Sequence, residues 1–277
     1  MSDLIDAIIQ TRKTAAEIFE KSLTNIEGLS EVEFAEKVLA EANNYAQVFP
    51  EGYYSPPPGG VGIIFDQKPF DRLKYDSLRD QKYWPNKSKF QKETVGMIYS
   101  SFVDRGTGML GDVGCTIYRG KDEETKKHIK KSYEMLLSIA QHTKVGMSFR
   151  EICSFAADAI KDKFKITVWV TRSSDPTGMN LGHTVPGSYD NLDLGKSFEE
   201  IKNTITKKRI FIKESMDFKI PETCAFTIES RFEGIGKESL PSTFFHFIVT
   251  FDNGKKNILT NFKKIFEVLG MDYMYAK

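Results

Sequence analysis

The stretch "VGMIYSSFVDRGTGMLGDVGCTIYRGKDEETKKHIKKSYEMLLSIAQHTKVGMSFREI", residues 95–152, places two strand-like runs ahead of two helix-like ones. "TVGMIYSSFV" and "DVGCTIYRG" are short and apolar, and the glycine-rich "DRGTGMLG" between them suits a hairpin. "DEETKKHIKKSYEMLLSIAQHTK" then repeats its apolar residues (Ile129, Tyr133, Leu136, Leu137, Ala140) at helical spacing. Acids in its first turn complement the helix dipole. After "VGM", Ser148 with Glu151 forms a capping box that opens a second helix, "SFREICSFAADAIKDKF".

Outward from this segment the pattern stays mixed. Toward the N-terminus, Leu4, Ile5, Ile8, Ile9, Ala15, Ile18, Phe19 and Leu23 predict one helix. Ser30 with Glu33 caps a second, so residues 2–47 read as a helical hairpin. "SPPPGG" (55–60) reads as a rigid turn before the buried strand "VGIIF", and 67–94 read as irregular. Toward the C-terminus strands dominate: "KITVWVT", "KRIFIKE", "TCAFTIES", "STFFHFIVTF" and "KKNILT". Ser197 with Glu200 marks a short helix among them, and "NFKKIFEVLG" (261–270) a last one. Strands and helices do not alternate regularly, and no Gly-x-Gly-x-x-Gly follows a strand. A doubly wound nucleotide fold is therefore disfavoured, and an α+β fold with a mainly antiparallel sheet is expected. No linker or repeat divides residues 1–277, so a single domain is expected.

Composition narrows the function classes. Lys and Arg number 39 against 38 Asp and Glu, so no net field draws the chain to nucleic acid or an anionic membrane. No apolar run reaches membrane-spanning length, and the N-terminus lacks the features of a signal peptide. Cys115, Cys153 and Cys224 are odd in number and scattered. They read as reduced structural thiols, which points to a cytoplasmic location.

"AFTIES" (225–230) raises the sharper question. Alternation sends Ala225, Thr227 and Glu229 to one face of a strand. An acid in mid-strand on a buried face needs a partner.

In order and spacing, 95–164 resemble the core of the methionine aminopeptidase, prolidase and creatinase family. Further on, "LGHTVPG" resembles that family's "GHGIG", "AFTIES" its "FTIEP", and "FHFIVTFDNGKKNILT" its closing hairpin. The resemblance implies a pita-bread fold, a curved and mainly antiparallel sheet with helices on its outer face and a cleft. It also implies five ligands, two Asp, one His and two Glu, holding two divalent ions and a bridging hydroxide that attacks a peptide carbonyl.

Carried over residue by residue, the ligand set is incomplete. Asp112 in "GDVG", His183 in "LGHTVPG" and Glu229 match ligands. The other two ligand positions fall on Ser101 and Phe244, and neither supplies a carboxylate. His246, two positions beyond Phe244 on the same strand face, is a possible fourth ligand. The family's substrate-side histidines fall on Asp190 and near Tyr83, which are therefore candidate cleft residues. Asp190 and Asp193 also suit turn chemistry. Tyr53, Tyr54 and Trp84 are candidates for the cleft mouth or for packing, and the basic "KKRIFIKE" reads as a solvated strand edge.

Two expectations follow. One is a pseudo-peptidase that binds a peptide, protein or small molecule in the retained cleft without metal, as relatives that lack ligands do. The other is a metal-dependent hydrolase with one divalent ion (Zn, Mn or Fe) on Asp112, His183 and Glu229. A two-ion aminopeptidase is not expected, because two anionic ligands are missing.

Overall fold

A computed structural model describes residues 2–166, 181–190 and 192–275. Helices α1 (Ser2–Leu23) and α2 (Glu31–Ala42) form the hairpin, and the Ser30–Glu33 capping box is present in full. Strands β1 (Val48–Gly52), β2 (Val61–Asp66), β3 (Val95–Ser100), β4 (Phe102–Asp104) and β5 (Val113–Tyr118) precede α3 (Glu123–His142) and α4 (Phe149–Ile160). Then come β6 (Phe164–Ile166), α5 (Phe198–Lys208), β7 (Cys224–Gly234), β8 (Thr243–Asp252), β9 (Lys255–Leu259) and α6 (Lys263–Val268). Residues 67–94 contain only short 3₁₀ turns, as their weak periodicity predicts.

One antiparallel sheet runs β2-β3-β5-β8-β7-β6, with β9 added against β8. Strands β1 and β4 form a separate pair. The run "TVGMIYSSFV" is thus two strands rather than one. It breaks at Ser101, and its halves join different sheets. The run "KRIFIKE" is no strand: Phe211 makes a single bridge to His183, because α5 extends through Lys208 and takes up its first residue. The part of "KITVWVT" beyond 166 lies outside the described residues.

Alternation divides the sheet's two faces. Phe245 and Phe247 on β8 turn to the helices, where Tyr133 of α3 meets both rings edge-on at 5.3 and 5.5 Å. Phe244 and His246 therefore turn to the opposite face. The register there lines up one row across four strands: Tyr99 pairs with Gly114, Gly114 with His246, and His246 with Glu229. Gly114 has a steric reason. A Cβ there would lie 2.5 Å from the Phe244 ring and 3.0 Å from Tyr99, which meet above it. Among the described residues no helix is long and apolar enough to cross a membrane.

Candidate functional site

Asp112 enters from the turn before β5, where Gly111 packs directly on the backbone of α1. Glu229 and His246 come from the paired row of β7 and β8. His183 comes from a segment that runs beside β7: Glu229 N–H donates to Leu181 O (2.9 Å) and Thr227 N–H to His183 O (2.8 Å). Gly182 allows this approach, because at φ +134° a Cβ would lie 2.2 Å from Thr227 O. The end of α5 adds Arg209; beyond it Ile210 O accepts from Thr184 N–H and Ile210 N–H donates to Thr184 Oγ1, while Ile212 exchanges backbone hydrogen bonds with the 181–182 segment. All five side chains are buried.

The answer to the Glu229 question is shared. Its Oε1 accepts from Thr227 Oγ1 at 3.3 Å and lies 3.9 Å from His183 Nε2, and its Oε2 lies 3.9 Å from His246 Nε2. His246 Nε2 is 3.5 Å from Asp112 Oδ2. Burial raises the Glu229 pKa above its ordinary value, joined by the charge of Asp112 and opposed by His246 and Arg209.

A tyrosine occupies the middle of the set. The Tyr53 hydroxyl is 3.3 Å from Asp112 Oδ2 and 3.3 Å from His183 Nε2, and Arg209 Nη1 donates to it at 3.4 Å. Tyr99 donates to the same Asp112 oxygen at 3.3 Å. His183 Nδ1 lies 2.9 Å from Thr184 O, and a carbonyl only accepts, so the ring proton sits on Nδ1. Burial, followed by the charge of Arg209, holds the His183 pKa well below the usual histidine range. The ring is neutral, and Tyr53 faces its bare nitrogen. Burial, with Asp112 next, raises the Tyr53 pKa well above the usual range, so the phenol keeps its proton. Burial opposes the charge of Arg209, while the nearby carboxylates of Asp112 and Glu229 favour it.

The two lost ligand positions have other roles. Ser101 Oγ accepts from Tyr54 N–H at 2.9 Å and Ser101 O from Tyr53 N–H at 3.0 Å, so Ser101 holds the tyrosine pair in place. Phe244 packs edge-on against Tyr99 with ring centroids 6.2 Å apart. Two candidate cleft residues stand elsewhere. Asp190 Oδ1 accepts from Gly187 N–H at 2.9 Å, and Asp193 Oδ1 from Gly195 N–H at 2.9 Å, which is turn chemistry. Tyr83 packs edge-on against Tyr75 and does not line the cavity. That cavity, about 20 Å³, is walled by Tyr53, Tyr54, Leu78, Tyr99, Phe244 and the polar centre. It has room for about one water-sized group.

The side chains present do not fit a two-ion centre. Two carboxylates stand where four are needed, a fixed guanidinium supplies positive charge, and the Tyr53 hydroxyl occupies the space between Asp112 Oδ2 and His183 Nε2. Among the described residues no group of three or more His, Cys, Asp or Glu side chains is arranged to hold a metal ion. Polar demand nonetheless remains. Asp112 Oδ1, both ring nitrogens of His246, and Nε and Nη2 of Arg209 lack hydrogen-bond partners among the described residues.

Sequence reasoning missed Arg209 and Tyr99. Arg209 is hidden in a basic run whose neighbours Lys207 and Lys208 are exposed. Nothing in the chain separates it from them except its position after the helix.

No known family model matches the sequence, and no curated protein matches it. Solved structures do. The Xaa-Pro dipeptidase from Bacillus anthracis is 14% identical, with a TM-score of 0.63 over 94% of this chain and 61% of its own. The prolidase from Pyrococcus furiosus is 16% identical, with a TM-score of 0.60 over 94% and 64%. A variant of Escherichia coli aminopeptidase P in complex with substrate is 10% identical, with a TM-score of 0.63 over 98% and 58%. The chain thus spans about three fifths of the length of these proteins. At such identities the likeness establishes architecture: the chain has the pita-bread fold of the prolidases and aminopeptidase P.

Proposed function

We propose that this chain is a pseudo-peptidase, a protein that uses the peptidase fold to bind a ligand without cleaving it. The observation that carries this reading is the Tyr53–Arg209 pair set among Asp112, His183 and Glu229. A hydrolytic centre needs lone pairs open to a metal ion, and here a protonated phenol backed by a guanidinium faces them. The ligand is a peptide, a protein segment or a small molecule. Its chemistry follows from the cavity wall. Arg209 offers two nitrogens without partners, and Tyr54, Leu78 and Phe244 offer apolar surface beside them. The cavity as it stands holds a water-sized group, so a ligand enters only as its wall opens, and the opened wall suits a carboxylate next to an apolar group, as at the free end of a peptide.

Metal analysis of the purified protein tests the non-catalytic part, repeated after incubation with Mn, Fe, Co and Zn. A screen of Xaa-Pro and other peptides with and without chelator accompanies it. Substoichiometric metal and no chelator-sensitive cleavage are expected. About one equivalent of metal per chain, lost in Glu229→Gln, would overturn the proposal in favour of a one-ion enzyme. The partnerless Asp112 Oδ1 and His246 nitrogens are what favour that second reading.

A further inference from the structure

A second cavity lies on the other face of the sheet. A groove of about 890 Å³ runs between α3 and the β6–β7 edge. Phe164 marks its place on the helical side, since its ring meets Phe232 at 5.3 Å and His128 of α3 at 5.8 Å. Met135, Phe164 and Leu240 supply apolar floor. Beyond Gly234 on the rim, Ile235 is 56% exposed.

The rim charge is lopsided. Lys127, Lys131, Lys163 and Lys237 face the groove against Glu124 and Glu134. Both acids are engaged, Glu124 by Lys237 at 2.9 Å and Glu134 by Lys130 at 4.0 Å. Lys126 has Glu123 at 2.8 Å. Among the described residues Lys127, Lys131 and Lys163 are left with no carboxylate partner. Lys163 reaches only the carbonyl of Ala159, at 3.3 Å. The whole chain is nearly neutral, with a formal charge of +1, so this rim is a local feature.

We infer that the groove docks a short acidic segment of a partner protein. The segment anchors one or two bulky apolar side chains on Met135, Phe164 and Leu240, and sets carboxylates against Lys127, Lys131 and Lys163. Lys127 and Lys131 stand one turn apart on α3, about 6 Å along its axis, and so present a pair of cations to successive acids of the segment. The Lys237–Glu124 pair at the rim is exposed, and the incoming segment exchanges it at little cost. The surface is separate from the cleft and does not depend on how the cleft is used.

Peptide selection on the intact chain tests the assignment. A random peptide library displayed on phage is selected against the protein, and enriched sequences are synthesised with a fluorescent label and measured by anisotropy. Peptides combining acids with Leu, Phe or Trp are expected. With every variant first shown to be folded by circular dichroism at the assay temperature, their binding should fall at least tenfold in the exposed double variant Lys127→Glu/Lys131→Glu, weaken with salt, and persist in Arg209→Met. Three results overturn the inference: no enrichment, enrichment without acids, or acidic peptides that bind the double variant as well as the parent. Peptides lost in Arg209→Met but kept in the double variant belong to the cleft and also overturn it.

Discussion

Replacing Arg209 with Met should destabilise the fold strongly near neutral pH and less in acid. Contacts of 3.4 and 3.3 Å in series, through the Tyr53 hydroxyl, put Arg209 Nη1 within about 7 Å of Asp112 Oδ2. At that separation and an effective dielectric of about 20, one buried charge pair is worth about 2–3 kcal/mol. Glu229 adds to this, and breaking a buried pair while leaving its partner charged costs about 3–5 kcal/mol. For a chain of this size that is a fall in Tm of roughly 10 °C. The pH dependence follows from Glu229, whose folded pKa is raised above its ordinary 4.5. A carboxyl raised in this way weakens the fold as pH climbs from its unfolded to its folded pKa, and has no such effect below 4.5. Loss of the guanidinium raises the folded pKa further. The deficit of Arg209→Met should therefore be larger at about pH 8 than at about pH 4, below the ordinary Glu229 value, by the share that Glu229 carries, while Arg209→Lys keeps part of the stability. Thermal unfolding followed by circular dichroism at both pH values reads this directly. An equal deficit at both, or none at either, would refute compensation of the carboxylates by Arg209.

Other substitutions separate the parts of the site from its supports. Tyr53→Phe removes the hydroxyl between Asp112 and His183 and should cost about 1–3 kcal/mol in urea unfolding, with the secondary structure retained. Gly111→Ala puts a Cβ 2.4 Å from the backbone of Thr11 and Arg12, so α1 must shift beside Asp112. The expected loss is about 1–3 kcal/mol, read from the denaturation midpoint. Glu31 is fully buried, accepting from Phe65 N–H at 2.5 Å and Asn86 N–H at 2.9 Å while pairing with Arg72. Glu31→Gln should cost about 3–5 kcal/mol by the same measurement, because the guanidinium is left without its counter-charge.

Much of the architecture is legible in the chain because its cues are local. Ser30 with Glu33, Ser148 with Glu151 and Ser197 with Glu200 each announce a helix start, and each is a complete capping box in the fold. Alternation in "AFTIES" and "STFFHFIVTF" likewise sorts residues onto the right faces. What the chain hides is non-local. Nothing near Ser101 says that a strand ends there, because the break comes from its bonds to Tyr53 and Tyr54, about fifty positions earlier. Arg209 looks like its exposed lysine neighbours, and what sets it apart is distant in sequence: the 181–184 segment holds the chain just after it, and the Tyr53 ring lies against its guanidinium. Tyr99 reads as one more strand aromatic until the register row sets it beside Gly114 and His246.

The contrast between Asp112, His183 and Glu229 on one side and Ser101 and Phe244 on the other has a physical logic. Asp112, Glu229, His183 and Arg209 form one buried electrostatic unit, in which removal of any member leaves an uncompensated charge or an unpaired polar atom. Such a unit resists piecemeal change. Ser101 and Phe244 stand at its margin, where a neutral residue satisfies itself. The serine hydroxyl takes a backbone N–H, and the phenyl ring takes the edge of Tyr99 and the space above Gly114. Restoring carboxylates at those two positions alone would place new buried charge next to Tyr54 N–H and the Tyr99 ring, beside the two buried carboxylates already present. Carboxylates at 101 and 244 therefore do not complete a two-ion ligand set while Tyr53 and Arg209 hold the centre.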